Sequence, residues 1–118
     1  MKNSRRKGLE WVRIVRKMLE GMGHIVEGPF YKPVYLFSGM RAVHFDIFKI
    51  ADLISYSENQ FILHQVTDVK NKSSHVKLIQ EKNLPCWIWC KIEGKIAFRI
   101  FFVDKGKIEE GEAKFWKK

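Results

Sequence analysis

The sequence predicts a single α/β domain, a central mixed β-sheet flanked by helices, from three observations. Apolar residues recur at helical spacing near the N-terminus, several later segments read as strands, and a capped second helix lies between those strands. The 118 residues suffice for one core and hardly for two, so 1-118 is read as one domain.

From Arg5 to about Gly21, Leu9, Val12, Val15 and Leu19 follow the helical period, and Trp11, Ile14 and Met18 widen the stripe. Asn3 or Ser4 caps its start, and Gly21 and Gly23 end it. His24 to Glu27 reads as a short strand, and the Pro- and Gly-punctuated stretch from Gly28 to Gly39 as loop or irregular strand. Residues from Val43 to Tyr56 read as extended, most clearly from Ala51 onward. The turn cluster Ser57-Glu58-Asn59 joins them to a second hairpin arm from Gln60 to Thr67. Asn71 to Ser74 is a turn and cap signal before a helix from about Ser74 to Lys82, and Pro85 ends that segment. Cys86 to Ile92 and Ile96 to Val103 are strands joined by Glu93-Gly94-Lys95. The tail from Asp104 is charged, with Phe115-Trp116 as its apolar anchor. The expected order is α-β-β-β-α-β-β.

Lys and Arg number 22 against 13 Asp and Glu, and the resulting charge of +9 favours a polyanionic partner. Basic residues concentrate at Lys2, Arg5, Arg6 and Lys7, at Arg13, Arg16 and Lys17, and at Lys70, Lys72 and Lys77. Such groups neutralise phosphates and release counterions, so binding is expected to weaken steeply with salt. No helix-turn-helix, zinc-finger or RNA-recognition signature is present, which leaves recognition of backbone or shape. Apolar runs such as Ile100 to Val103 fall far short of the roughly 20 residues of a membrane helix. No apolar signal core follows the N-terminus, so a cytoplasmic location is expected. Cys86 and Cys90 project to one face of a strand, too far apart for a disulfide, and read as small buried hydrophobes.

Chemistry concentrates around the first strand pair. Asp52 stands in an apolar strand, where a carboxylate is costly to bury without a compensating cation, and Asp46 precedes it. Gln65 and Thr67 share one face of the next strand, and Glu10 borders the apolar stripe of the first helix. A solvated Glu10, a salt-bridged Asp52 and a mutually bonded Gln65 and Thr67 are the structural alternatives.

The helix with Glu10, the segment Phe45-Asp46-Ile47-Phe48-Lys49-Ile50-Ala51-Asp52-Leu53-Ile54, the segment Phe61 to Thr67 and the helix that follows resemble the core of the PD-(D/E)XK nuclease superfamily. This restriction-endonuclease-like group includes the archaeal Holliday junction resolvases. The resemblance covers Arg5 to Val103 in element order. It implies a metal-dependent endonuclease on DNA, branched or otherwise structured, with RNA as the alternative polymer. It implies Mg²⁺ or Mn²⁺ on Glu10, Asp52 and Gln65, with Asp52, Gln65 and Thr67 in the catalytic positions. Gln65 stands where the family carries a second acid, and Thr67 where it carries a lysine. Asp68-Val69-Lys70 restores both groups three residues on, but a three-residue shift reverses the face, so Gln65 and Thr67 are preferred. Arg5, Arg6, Lys7, Arg13, Lys70 and Lys72 are the expected nucleic-acid contacts. The alternative function is a nuclease-fold binding protein without catalysis, and a third is an unrelated basic interaction protein in which Asp46 and Asp52 are structural. Convergence of Glu10, Asp52 and Gln65 separates the third from the others. Related resolvases act as dimers, and a homodimer is expected.

Overall fold

Helix α1 (Ser4–Gly21) forms where the apolar period places it, burying Val12, Val15 and Leu19. The chain then reverses at Gly23, which is left-handed at φ 95°. In this computed structural model residues 4–95, 97–105 and 107–111 are described, with side chains from residue 8 onward. The capping candidate Asn3 and the tail aromatics Phe115 and Trp116 lie outside them.

Strands β1 (Ile25–Glu27), β2 (Phe30–Leu36), β3 (Gly39–Phe45), β4 (Leu53–Ser57) and β5 (Gln60–Asp68) follow. Helix α2 (Lys72–Lys82) comes next, then β6 (Cys86–Lys91), β7 (Phe98–Asp104) and β8 (Lys107–Gly111). One sheet runs β1-β4-β5-β6-β7-β8, and β2 pairs with β3 in a separate ribbon. Among the described strands only β5 and β6 run parallel, since α2 carries the chain back between them. The β4–β5 hairpin turns through Glu58 and Asn59, both left-handed, the geometry that matches strand twist.

Alternation along β6 divides the core. Cys86, Ile88 and Cys90 face α2 and pack with Leu63, Ile79, Phe101 and Val103. Trp89 faces α1 and packs with Val12, Val15, Leu19, Leu53 and Ile100. Both cysteines are buried free thiols. Among the described residues no helix is long and apolar enough to cross a membrane.

The α/β class with a mixed sheet between helices is as expected, but details differ: the stretch from Val43 to Tyr56, expected to be extended, breaks into a loop between β3 and β4. The stretch from Gly28 onward builds a regular ribbon in register from Phe30↔Phe45 to Leu36↔Gly39. Pro33 is tolerated there because an isolated pair leaves each strand an outer edge that needs no N–H. The charged tail contributes β8, held against β7 by a bidentate Arg99–Glu110 pair at 2.7 and 2.8 Å. Charge on an edge strand discourages further pairing. Helix α2 begins at Lys72, two residues before the predicted Ser74.

Candidate metal centre and basic groove

The site is built where β3 ends and β4 begins. His44 lies near the end of β3, and Asp46 follows two residues later. The chain then closes into a tight loop, with Ile47 N–H donating to Ala51 O at 2.7 Å and Lys49 N–H to Asp46 O at 3.2 Å. Phe48 and Lys49 are both left-handed, at φ 53° and 63°, a strained pairing for two side-chain-bearing residues. This loop folds Asp46 back toward Asp52.

At Asp52 the sheet opens. Asp52 N–H donates to His64 O at 2.7 Å, just before β4 begins its pairing with β5 at Leu53. The Asp52 carboxylate takes over as ladder acceptor, with Oδ2 receiving the Val66 N–H at 2.9 Å. Its other oxygen, Oδ1, lies 3.5 Å from His44 Nε2, and His44 Nδ1 lies 4.0 Å from Asp46 Oδ1. One donor atom from each of His44, Asp46 and Asp52 lies within 4.8 Å of the others. Metal bonds of about 2.1 Å let one ion bridge donors about 4.2 Å apart, so small side-chain movements bring this trio onto a single cation.

The electrostatics match such a cation. Burial pushes the Asp52 carboxyl up to about 8; the Val66 N–H opposes the shift, and the neighbouring Asp46 carboxylate adds to it. His44 Nε2 is buried and makes no hydrogen bond among the described residues. A buried carboxylate beside a second one and an orphaned ring nitrogen lacks only positive charge. These residues therefore fit a metal ion.

Two cavities meet at this trio. A small one of about 140 Å³ is lined by Gly8, Leu9, Val12, His44, Asp52 and Val66. A larger groove of about 720 Å³ runs between α1 and the β2–β3 ribbon, carrying Lys32, Arg41 and Lys49 alongside His44 and Asp46. Arg13 on the exposed face of α1 donates to the Tyr31 hydroxyl at 3.2 Å, at the same groove.

The residues singled out from the sequence divide. Asp52 and Asp46 come together as a metal-capable pair, joined by His44. Glu10 stands apart, because the helix places it about 200° around the axis from the inward Val12, and it is exposed. The α1 residues that reach the cavity are Gly8, Leu9 and Val12. Gln65 is buried, and its amide donates to Ile50 O at 2.8 Å, so it ties down the loop that carries Asp52. Thr67 is buried two residues on, and neither residue lines the small cavity with Asp52. The expected convergence of Glu10, Asp52 and Gln65 is thus replaced by His44, Asp46 and Asp52. Asp68 accepts the Asn71 N–H and side-chain amide at 3.0 Å each as a turn acceptor, and Lys70 is exposed nearby. Lys72 lies over the Phe101 ring, beside a cavity with Lys77 on the α2 side and away from the groove. The side chains of Arg5, Arg6 and Lys7 lie outside the described residues.

Sequence reasoning missed His44, Lys32, Arg41 and Lys49. The signal for His44 was its spacing from Asp46, which in a strand puts both on one face. That signal needed β3 to be recognised as a strand.

On the side of the sheet that carries Trp89, a second polar group is closed on itself. The Trp89 indole N–H donates to His64 Nδ1 at 3.0 Å, so the His64 proton sits on Nε2 and is given to Ser55 Oγ at 2.8 Å. The Ser55 hydroxyl in turn donates to His24 Nδ1 at 3.0 Å. Burial, aided by His24, drives His64 down to about 3 and keeps it neutral. No family model matches this chain, and no curated protein or solved structure is significantly similar to it.

Proposed function

We propose that this protein is a metal-dependent phosphodiesterase acting on nucleic acid, most simply a DNA endonuclease, with His44, Asp46 and Asp52 holding the ion. The observation that carries this reading is the cluster of the buried Asp52 carboxylate with the half-buried His44 imidazole and Asp46 carboxylate, at the end of a groove lined by Lys32, Arg41 and Lys49. An anionic metal site beside clustered cations suits a substrate that is itself a polyanion needing charge neutralisation at the reacting phosphate.

Two carboxylates leave a divalent ion neutral overall, and the imidazole favours Mn²⁺ over Mg²⁺, which prefers oxygen alone. When bound, the ion supplies charge to the phosphate and lowers the pKa of its water. Asp46 and Asp52 would hold the ion with His44, and Gln65 fixes the loop that presents Asp52. Lys49, on the same loop, offers the ammonium that Thr67 cannot, with Lys32 and Arg41 receiving flanking phosphates. Glu10, Asp52 and Gln65 do not converge, so the ligand set implied by the restriction-endonuclease-like resemblance is given up and the proposal rests on the His44, Asp46 and Asp52 cluster alone.

The test is cleavage of labelled linear, single-stranded and four-way-junction DNA with Mn²⁺ or Mg²⁺, comparing the parent with Asp52→Ala and Asp46→Ala. Cutting that needs metal and falls by about a hundred-fold or more in both variants supports the proposal. Salt-sensitive binding without cutting leaves the alternative, a binding protein that keeps the site without the chemistry.

A further inference from the structure

The β2–β3 ribbon pairs with no strand of the main sheet and carries exposed Tyr31, Tyr35, Leu36, Phe37 and Met40. Residues 30–45 contain Lys32 and Arg41 and no acidic residue. Alternation puts Tyr31, Pro33 and Tyr35 on one face with Met40, Ala42 and His44, so the face that ends at the metal-capable histidine begins with an aromatic ring at the tip. From His44 to Met40, the partner of Tyr35, is about 13 Å at the strand rise. Tyr31 is already fixed as a platform, its ring edge-on to His44 at 5.9 Å and its hydroxyl held by Arg13.

We propose that this ribbon is the nucleic-acid arm of the site and takes a strand whose bases are unpaired. The bases stack on Tyr35 and Tyr31, and the backbone runs toward Lys49, Asp46 and His44, while Lys32 and Arg41, on the opposite face of the ribbon, add to its positive charge. This inference rests on the phosphodiesterase reading and adds the substrate class. Aromatic rings accept any base but need a free π-face, which a stacked duplex does not offer. A purely basic ribbon complements a polyanion. A second copy of this chain is the less suitable occupant, because Pro33 removes an N–H from the edge that strand addition would use and like charges would meet.

The experiment measures binding of the full chain to labelled oligo-dT and to a blunt duplex of equal length, by fluorescence anisotropy in EDTA, where no cutting occurs. Tyr35→Ala and Tyr35→Leu are expected to weaken oligo-dT binding on the order of ten-fold with little change for the duplex, whereas Tyr35→Trp retains the parent affinity. The leucine variant keeps an apolar strand residue, so its loss reports the ring and not a misfolded ribbon. Unchanged oligo-dT binding in both variants, or equal loss on both probes, overturns the proposal. So does a dimer in sedimentation that Phe37→Ser dissociates while Tyr35→Ala leaves oligo-dT binding intact. Tyr35-dependent binding together with no metal-dependent cutting supports the arm and strikes the phosphodiesterase reading alone.

Discussion

Asp52 is the residue on which stability and function pull apart. Its carboxyl is raised to about 8 by burial, above its unfolded value of 3.8, so the native state holds the proton more tightly between these values. Stability of the metal-free protein therefore falls as pH rises through that window, by at most about 1.4 kcal/mol per pH unit. Asp52→Asn keeps the shape without the charge. It is expected to raise metal-free stability at pH 8 by roughly 1–3 kcal/mol and to abolish the melting-temperature gain that Mn²⁺ gives the parent, both read by thermal denaturation. His64 acts in the opposite sense. Its folded value near 3 lies below the unfolded 6.5, so the stability it contributes is complete above about 6.5 and is lost as pH falls toward 3. In the parent the two slopes oppose between about 4 and 6.5. In Asp52→Asn only the histidine slope remains, and urea titrations from pH 7 to 4.5 should show the variant losing stability with acid faster than the parent.

At the scale of elements, the loop between β3 and β4 is held by close backbone approach. Gly28 adopts φ 114°, and a Cβ there would meet Asp52 O at 2.7 Å and a Leu53 methyl at 2.9 Å. The Gly28 carbonyl also accepts from Arg16 Nη1 at 2.6 Å. Gly28→Ala is expected to cost roughly 2–4 kcal/mol and to weaken metal binding together with stability, measured by urea denaturation and Mn²⁺ titration. Gln65→Leu frees the Ile50 carbonyl and should lower metal affinity about ten-fold, as loss of an outer-shell hydrogen bond does. A direct ligand would lower it much further, so a Mn²⁺ titration separates the two roles.

Over the whole molecule, positive charge is divided between two sides of the sheet. Lys32, Arg41 and Lys49 line the groove at the metal-capable trio, whereas Lys72 and Lys77 line a cavity against α2. If the groove is the nucleic-acid surface, neutralising Lys32, Arg41 or Lys49 to Gln should each reduce the slope of log affinity against log salt by roughly 0.7–0.9. Lys77→Gln should leave the slope unchanged. Equal effects on both sides would place binding on general charge and not on the groove.

The α/β class, the extent of α1 and the β4–β5 hairpin were legible in the sequence, because each is written in local periodicity and turn chemistry. The 12-15-19 stripe, the Glu58-Asn59 turn and the Cys86–Lys91 alternation need no distant partner to be read. Which of the candidate residues meet is set by tertiary packing. Strand period puts Gln65 and Thr67 on a common face but not which face it is, and here the Asp52 carboxylate leaves the ladder to take the Val66 N–H while Gln65 turns to Ile50. Helical period allowed Glu10 at the edge of the stripe, and packing centred on Val12, Val15 and Leu19 turned it outward. His44 and Asp46 became partners of Asp52 only through two consecutive left-handed residues, Phe48 and Lys49, a conformation that side-chain-bearing residues adopt when surrounding structure imposes it and that local propensity therefore does not announce.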